Sequence, residues 1–162
     1  MRFFSKVKLA DRQGLPYISK AKQMRKILVI EDETFIRDNL LELLEIENFD
    51  AVGAENGAVG VDLATQEQPN LILCDVMMPE LDGFGVLKAL RENPATQRIA
   101  FMFLTASADK INLQKIREMG IPDRDVILKP FNIDQFLAAL KARLNDLDCL
   151  DAPDDSGVKS AS

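Results

Sequence analysis

Polar side chains that could act chemically follow the apolar segments of this sequence. Asp75 closes the apolar segment of residues 71–74, shortly before a turn marked by Pro79. In a parallel sheet, the carboxyl ends of the strands line the crevice in which ligands bind. A carboxylate at that position favours a chemical role for Asp75, although a strand-end Asp that only caps the next turn would have the same local sequence.

Other polar side chains occupy equivalent positions along the chain. Glu31 and Asp32 follow the apolar residues 27–30. Thr105 follows residues 99–104, and Lys129 follows residues 126–128. If all these segments are parallel strands, their carboxyl ends meet at one edge of the sheet. Carboxylates, a hydroxyl and an ammonium group that converge from separate parts of the chain indicate a functional site more strongly than any one of them does alone.

The types of these groups define the chemistry that they could perform. Carboxylates held about 4 Å apart repel each other by roughly 4 kcal/mol at an effective dielectric constant of about 20, so the cluster attracts a cation. Oxygen ligands without His or Cys select Mg²⁺, which favours phosphate as a further ligand. Asp75 could then attack a phosphoryl group and become an aspartyl phosphate, while Thr105 and Lys129 bind the phosphoryl oxygens. Crowding also predicts that Asp75→Asn stabilises the metal-free protein by about 1–3 kcal/mol.

The elements that must position these residues alternate regularly along the chain. Five short apolar segments predict strands, and each is followed by a segment with helical spacing of its apolar residues. Helix starts are predicted at Thr34, at Asn56 and at Asn132, which forms a capping box with Gln135, and a helix end is predicted at Gly120. Such alternation predicts an α/β fold with a doubly wound, five-stranded parallel sheet covered by helices on both faces.

Composition excludes several classes of function. The 162 residues suffice for one domain and contain no His, which removes imidazole bases and His-ligated metals. Cys74 and Cys149 form neither a disulfide framework nor a metal motif, which favours a reducing cytoplasm. We expect Cys74 to be an inert core residue that points away from Asp75, because side chains alternate along a strand. No apolar stretch is long enough for a membrane span or a signal peptide.

Charge divides the chain into three parts. Residues 1–24 contain six basic residues and one acidic residue, whereas the whole chain has a net charge of −6, so the remainder is strongly acidic. We expect residues 1–23 to be a flexible basic extension, with Met24 as an alternative start. Residues 24–147 are predicted to form the domain, and residues 148–162 a disordered acidic tail. The acidic domain argues against DNA binding, and the tail is too short for an output domain.

Four motifs give this chain a close resemblance to a known family. Residues 27–33 read ILVIEDE, residues 71–83 read LILCDVMMPELDG, residues 103–106 read FLTA, and residues 128–131 read LKPF. Together they resemble the receiver domain of two-component response regulators, over residues 24–144. The resemblance implies a flavodoxin-like fold with strand order 2-1-3-4-5. It also implies a stand-alone cytoplasmic signalling domain rather than an enzyme.

The resemblance implies the partners of this domain and its metal ligands. Asp75 would accept a phosphoryl group from a sensor histidine kinase or a phosphotransfer protein, and the domain would signal to an unidentified downstream protein. Asp32, Asp75 and the backbone carbonyl of Met77 would bind Mg²⁺ directly, and Glu31 would act through water. Neither DNA nor a membrane would be a partner.

The remaining motif residues are implied to surround the phosphoryl group. Thr105 and Lys129 would contact its oxygens, and Ala106 and Pro130 accompany them in their motifs. The Lys129–Pro130 peptide bond would be cis.

One position departs from the family pattern. An aromatic residue usually stands three positions before the lysine and rotates inward on phosphorylation, but Val126 occupies that position here. The segment of residues 120–129 is also two residues longer than the common pattern. We therefore predict that phosphoryl transfer is intact. Transmission of the signal to the face of the fourth helix, fifth strand and fifth helix would rely on Thr105 and loop motion.

Other functions remain open from the sequence. A haloacid-dehalogenase-like phosphotransferase also uses an aspartyl phosphate and Mg²⁺, but it needs an acid two residues after the nucleophile, where this chain has Met77. A receiver that only binds a partner, without being phosphorylated, is a further alternative. A flavin-binding domain of similar fold is disfavoured, because residues 31–33 are all acidic and would repel its phosphate.

Overall fold

A five-stranded parallel sheet organises the computed structural model, which describes residues 8–10, 16–18 and 24–151. In chain order the strands are β1 (Lys8–Ala10), β2 (Pro16–Ile18), β3 (Lys26–Ile30), β4 (Asp50–Ala54), β5 (Leu71–Asp75), β6 (Ala100–Ala106) and β7 (Val126–Lys129). The helices are α1 (Thr34–Ile46), α2 (Gly57–Glu67), α3 (Gly83–Glu92), α4 (Lys110–Glu118) and α5 (Ile133–Asp151). A short 3-10 helix, Asp123–Asp125, precedes β7.

The order of the strands in the large sheet is β4-β3-β5-β6-β7, and every neighbouring pair is parallel. Counted from β3, this order is 2-1-3-4-5, so the predicted flavodoxin-like fold is confirmed. All five carboxyl ends therefore lie at one edge, and four of them, those of β3, β5, β6 and β7, carry the candidate residues. Within this sheet, a helix connects each strand to the next one along the chain, as parallel pairing requires.

Two apolar clusters cover the two faces of the sheet. One face contains Ile72, Cys74 and Phe103 and packs against α2, α3 and α4. The other contains Leu71, Leu73 and Leu104 and packs against α1 and α5. Successive residues of each strand thus enter opposite clusters, which is the alternation expected of a strand buried on both faces. Cys74 is buried in the first cluster, and burial raises the pKa of its thiol well above the ordinary value, in agreement with the predicted inert role.

Most of the predicted helix boundaries are confirmed. Asn56 caps α2 by accepting the Val59 N–H at 2.8 Å. Asn132 and Gln135 form the reciprocal capping box, in which the Asn132 side chain accepts the Gln135 N–H at 2.7 Å. Gly120 has a φ of 75° just after α4, where a residue without a Cβ is favoured. The predicted cap at Thr34 is wrong, because Thr34 is already the first residue of α1 and Glu33 is the cap, without a side-chain bond.

The ends of the chain differ in part from expectation. Within the predicted flexible extension, β1 and β2 pair as antiparallel strands, which was not predicted. The other residues of 1–23 lie outside the described residues. Helix α5 continues past residue 147 to Asp151, so the start of the predicted disordered tail is helical, and residues 152–162 lie outside the described residues. None of the helices in the described ranges combines the length and apolar character that crossing a bilayer requires.

Candidate functional site

Three carboxylates meet at the edge where β3 and β5 end. Glu31 and Asp32 directly follow β3, and Asp75 is the last residue of β5. One oxygen from each of these carboxylates lies within 4.8 Å of the others. Glu31 is fully buried, Asp75 is 8% exposed, and Asp32 is partly exposed. The predicted convergence is therefore observed, and the cluster opens to solvent on the side of Asp32.

Lys129, the last residue of β7, joins two of these acids. Its Nζ lies 2.9 Å from Glu31 Oε2 and 3.4 Å from Asp75 Oδ2. The other Glu31 oxygen accepts the backbone N–H of Glu33 at 3.2 Å. The Lys129–Pro130 peptide bond that follows is cis, as the family resemblance implies. A single ammonium group thus partly neutralises two carboxylates, one of which, that of Glu31, lies 98 positions away in the sequence.

Burial and neighbouring charges shift the pKa values of Glu31 and Lys129 in this cluster. Burial raises the pKa of Glu31 to about 7, and the negative charge of Asp75 adds to this, although the hydrogen bond and charge of Lys129 oppose it. Burial by itself lowers the pKa of Lys129, but the bond to Glu31 and the charges of Asp75 and Glu31 outweigh it, so the pKa is raised. The site therefore holds a permanent cation beside an acid whose charge is costly.

Thr105 brings a hydroxyl to the same edge. It lies one position beyond Leu104, the residue of β6 that pairs in register with Asp75. The side chain is 1% exposed, and its Oγ1 has no hydrogen-bond partner within the described ranges. An unpaired buried hydroxyl costs free energy and often marks a ligand site. The next residue, Ala106, is exposed and pairs in register with Lys129.

The loop between β5 and α3 passes directly beside Asp75. The backbone N–H of Met77 donates to Asp75 Oδ1 at 3.3 Å, which places this part of the backbone at the site. The Met77 side chain is 66% exposed, and its Sδ accepts an N–H from Asn112 Nδ2 of α4 at 3.2 Å. Gly83 is the residue at which the loop gives way to α3, and it has no room for a side chain, because a Cβ there would lie 2.5 Å from the Asp75 carbonyl oxygen. Only glycine lets α3 begin so close to the strand end.

Val126 lies apart from the carboxylates. It is half-buried, packs against the first apolar cluster and pairs in register with the fully buried Phe103 of β6. Two further residues at the site are not among the predicted site residues. Arg37 contacts the backbone of Glu31, and Gly83 sets the position of α3. Gly83 was visible as a glycine at a helix start, whereas no local pattern indicates Arg37.

Comparison with known proteins places this arrangement in one family. The sequence profile of the response regulator receiver domain matches residues 27–141. A relative from Rhizobium etli, named "Probable chemotaxis protein CheY", is 34% identical over 118 residues, which cover 72% of this chain and 90% of that protein. The chain therefore belongs to the response regulator receiver family, whose members are signalling domains.

Other similar proteins extend this result. The polar-differentiation response regulator DivK of Brucella anthropi is 29% identical over 75% of this chain and 98% of its own length. A receiver domain structure from Clostridium thermocellum is 26% identical with a TM-score of 0.69, covering 78% of this chain and 99% of that one. The transcriptional regulator RpaA of Synechocystis is 36% identical over 77% of this chain, but this chain spans only 51% of RpaA.

Proposed function

We propose that this protein is a phosphoacceptor in a two-component signalling pathway. Asp75 receives a phosphoryl group from a sensor histidine kinase or a phosphotransfer protein, in a reaction that depends on Mg²⁺. One observation carries the proposal: Asp75 is slightly exposed at a strand end, one of its oxygens lies within 4.8 Å of one oxygen each of Glu31 and Asp32, and the Lys129 Nζ lies 3.4 Å from its Oδ2.

The carboxylates supply the ligands that Mg²⁺ prefers. Asp32, Asp75 and the backbone carbonyl of Met77 would bind the ion directly, and Glu31 would act through water. The donor set fits, because all three side chains offer hard oxygen atoms and the described residues bring no sulfur or imidazole ligand into the cluster. When bound, Mg²⁺ would neutralise the phosphoryl oxygens and so favour attack by a carboxylate.

The transfer itself uses one Asp75 oxygen as the nucleophile. A bond forms between this oxygen and phosphorus while the bond from phosphorus to the nitrogen of a phosphohistidine breaks, and the nitrogen keeps the electron pair. The product is an aspartyl phosphate, which water later hydrolyses to the carboxylate and inorganic phosphate. The Asp75 carboxylate is available for attack because Met77 N–H and Lys129 orient its oxygens.

Thr105 and Lys129 would bind the transferred group. Lys129 can turn its Nζ from Glu31 toward a phosphoryl oxygen and keep an anionic partner. Thr105 Oγ1, which has no partner in the described part of the chain, would gain a hydrogen bond. Ala106 adds little bulk beside it, and Pro130 follows the lysine at the rim. These changes would alter the ends of β6 and β7 together.

The signal would then pass to a downstream protein. With Val126 in place of an aromatic residue, the change at Thr105 and the adjoining loops would carry it to the surface of α4, β7 and α5. The two free cysteines, one of them buried, accord with action in the cytoplasm. The acidic charge of the chain argues against a direct role of this domain in DNA binding.

Incubation with acetyl phosphate, followed by intact mass spectrometry, tests this function. The wild-type protein should gain one phosphoryl group with Mg²⁺ and none in chelator. Asp75→Asn should gain none, whereas Asp82→Asn should gain one, because Asp82 caps α3 outside the carboxylate cluster. Equal labelling of Asp75→Asn and wild type would refute the proposal.

A further inference from the structure

Arg37 of α1 contacts the backbone that joins the two acids after β3. Its Nη1 donates to the Glu31 carbonyl oxygen at 2.9 Å. The Glu31 N–H donates to the Ala54 carbonyl of β4 at 3.1 Å. Both polar backbone groups of Glu31 are therefore held, one by the sheet and the other by a side chain. Because the Glu31 carbonyl belongs to the peptide bond that leads to Asp32, Arg37 fixes the orientation of that peptide.

Gly53 of β4 provides the space for the Arg37 side chain. A Cβ at this position would lie 3.2 Å from Cδ and 3.4 Å from Cγ of Arg37, and 2.8 Å from Cδ1 of Leu41. Glycine weakens the interior of a strand, and it often marks a place where another group approaches closely. Gly53 also precedes Ala54, so one short part of β4 both holds the Glu31 N–H and makes room for the arginine that holds its carbonyl.

Asp32 depends on this backbone more than its neighbours do. The Glu31 side chain is fixed by Lys129 and by the Glu33 N–H, and the Asp75 side chain is fixed by Lys129 and by the Met77 N–H. Asp32 is the most exposed of the three acids. The position of its carboxylate is therefore set mainly by the peptide that Arg37 holds.

We infer that Arg37, seated over Gly53, is a positioning residue that presents Asp32 to the metal ion. This inference rests on the proposed function, because it concerns the same Mg²⁺ site. Charge alone predicts the opposite effect: removing a cation near three carboxylates would strengthen their attraction for a divalent ion. Positioning and charge can thus be separated by the direction in which Mg²⁺ affinity changes.

Isothermal titration of the full chain with Mg²⁺ distinguishes these two effects. Arg37→Met keeps a long apolar side chain but removes the donor, and Gly53→Val keeps the Arg37 charge but fills its space. Each should weaken Mg²⁺ binding about tenfold, as loss of a group that orients a ligand typically does. Combining both changes should weaken binding no further than one alone, because each removes the same contact. Arg37→Lys should restore part of the affinity.

Leu41→Ala serves as the matched control. Leu41 lies against the same glycine, but its apolar side chain has no donor for the Glu31 carbonyl, to which Arg37 donates. Leu41→Ala should therefore lower the urea midpoint of unfolding while leaving the Mg²⁺ affinity unchanged. Gly53→Val should instead weaken Mg²⁺ binding, whatever its effect on the urea midpoint, because its side chain would displace Arg37 and also press on Leu41.

Three outcomes would overturn the inference. Unchanged or tighter Mg²⁺ binding by Arg37→Met would show that charge dominates. Unchanged binding by Gly53→Val, or weakened binding by Leu41→Ala to the same extent, would show that the contact has no special role. In each case wild-type binding of Mg²⁺ and labelling by acetyl phosphate would leave the proposed function intact. A wild-type protein that binds no Mg²⁺ would instead reject the proposed function, and the inference with it.

Discussion

Replacing Glu31 by Gln should stabilise the metal-free protein at neutral and alkaline pH. Glu31 is fully buried, and burial raises its pKa from the ordinary 4.5 to about 7. The native state therefore holds the Glu31 proton more tightly than the unfolded chain does, and stability is lost as the pH rises between these two values. Gln keeps the shape of the protonated acid and carries no charge to desolvate.

The size of the effect follows from the same shift. Above about pH 7 the difference between 4.5 and 7 corresponds to about 3 kcal/mol, whereas near pH 5 it is less than about 1 kcal/mol. The raised pKa of Lys129 adds no slope in this range, because that group stays protonated in both states until far higher pH. The advantage of Glu31→Gln should therefore grow from small to about 3 kcal/mol as the pH increases from about 5 to 8.

Urea unfolding in chelator at several pH values measures this advantage. Glu33→Gln is the matched control, because Glu33 is an exposed acid in the same loop, and its substitution should have little effect at any pH. A constant difference between wild type and Glu31→Gln across this range would contradict the linkage argument. A less stable Glu31→Gln at pH 8 would show instead that the ion pair with Lys129 outweighs the burial of the charge.

Three further substitutions test other parts of the site. Asp75→Asn should also stabilise the metal-free protein, by about 1 kcal/mol, and less than Glu31→Gln does at pH 8, because Asp75 is 8% exposed whereas Glu31 is fully buried; a lower urea midpoint would contradict this. Lys129→Gln should raise the pKa of Glu31 further, since Lys129 lowers it, and an unchanged value in a carboxyl-detected NMR titration would refute this. Gly83→Ala should lower the free energy of unfolding by about 1–3 kcal/mol, because its Cβ would meet the backbone of Asp75 and Val76. Gly85→Ala is the control: the nearest atoms to its Cβ belong to side chains, so it should lower the free energy of unfolding in urea by less.

The fold class and the convergence of the site could be predicted from sequence because both depend on local patterns. Four of the five strands in the large sheet are short apolar runs with a candidate polar residue at or beside their carboxyl ends, as Asp75, Thr105 and Lys129 show. Alternation with helices then requires parallel strands, and parallel strands bring their ends together. The order of the strands in the sheet does not follow from these local patterns, and only the family resemblance predicted it.

Contacts between distant residues could not be read in the same way. The pairing of Lys129 with Glu31 joins residues 98 positions apart, and the sequence indicates only that both lie at one edge. Arg37 reaches the Glu31 carbonyl because Gly53, on the neighbouring strand β4, leaves space for its side chain. These residues are too far apart in the sequence for a local pattern to predict the contact. The sequence did not predict that α5 continues to Asp151, because the polar composition of this segment disfavours a helix. In the structure, Asp148 pairs with Arg25, and this tertiary contact stabilises the end of the helix.

Locating the residue that carries the phosphoryl group tests most directly whether Asp75 is the phosphoacceptor. After incubation with acetyl phosphate and Mg²⁺, borohydride reduction converts an aspartyl phosphate to homoserine, and peptide mapping then locates the altered residue. We expect homoserine at position 75 in the wild-type protein, and none when Mg²⁺ is removed by chelator. Modification at a different residue, or none at position 75 with Mg²⁺ present, would contradict the assignment of Asp75 as the phosphoacceptor.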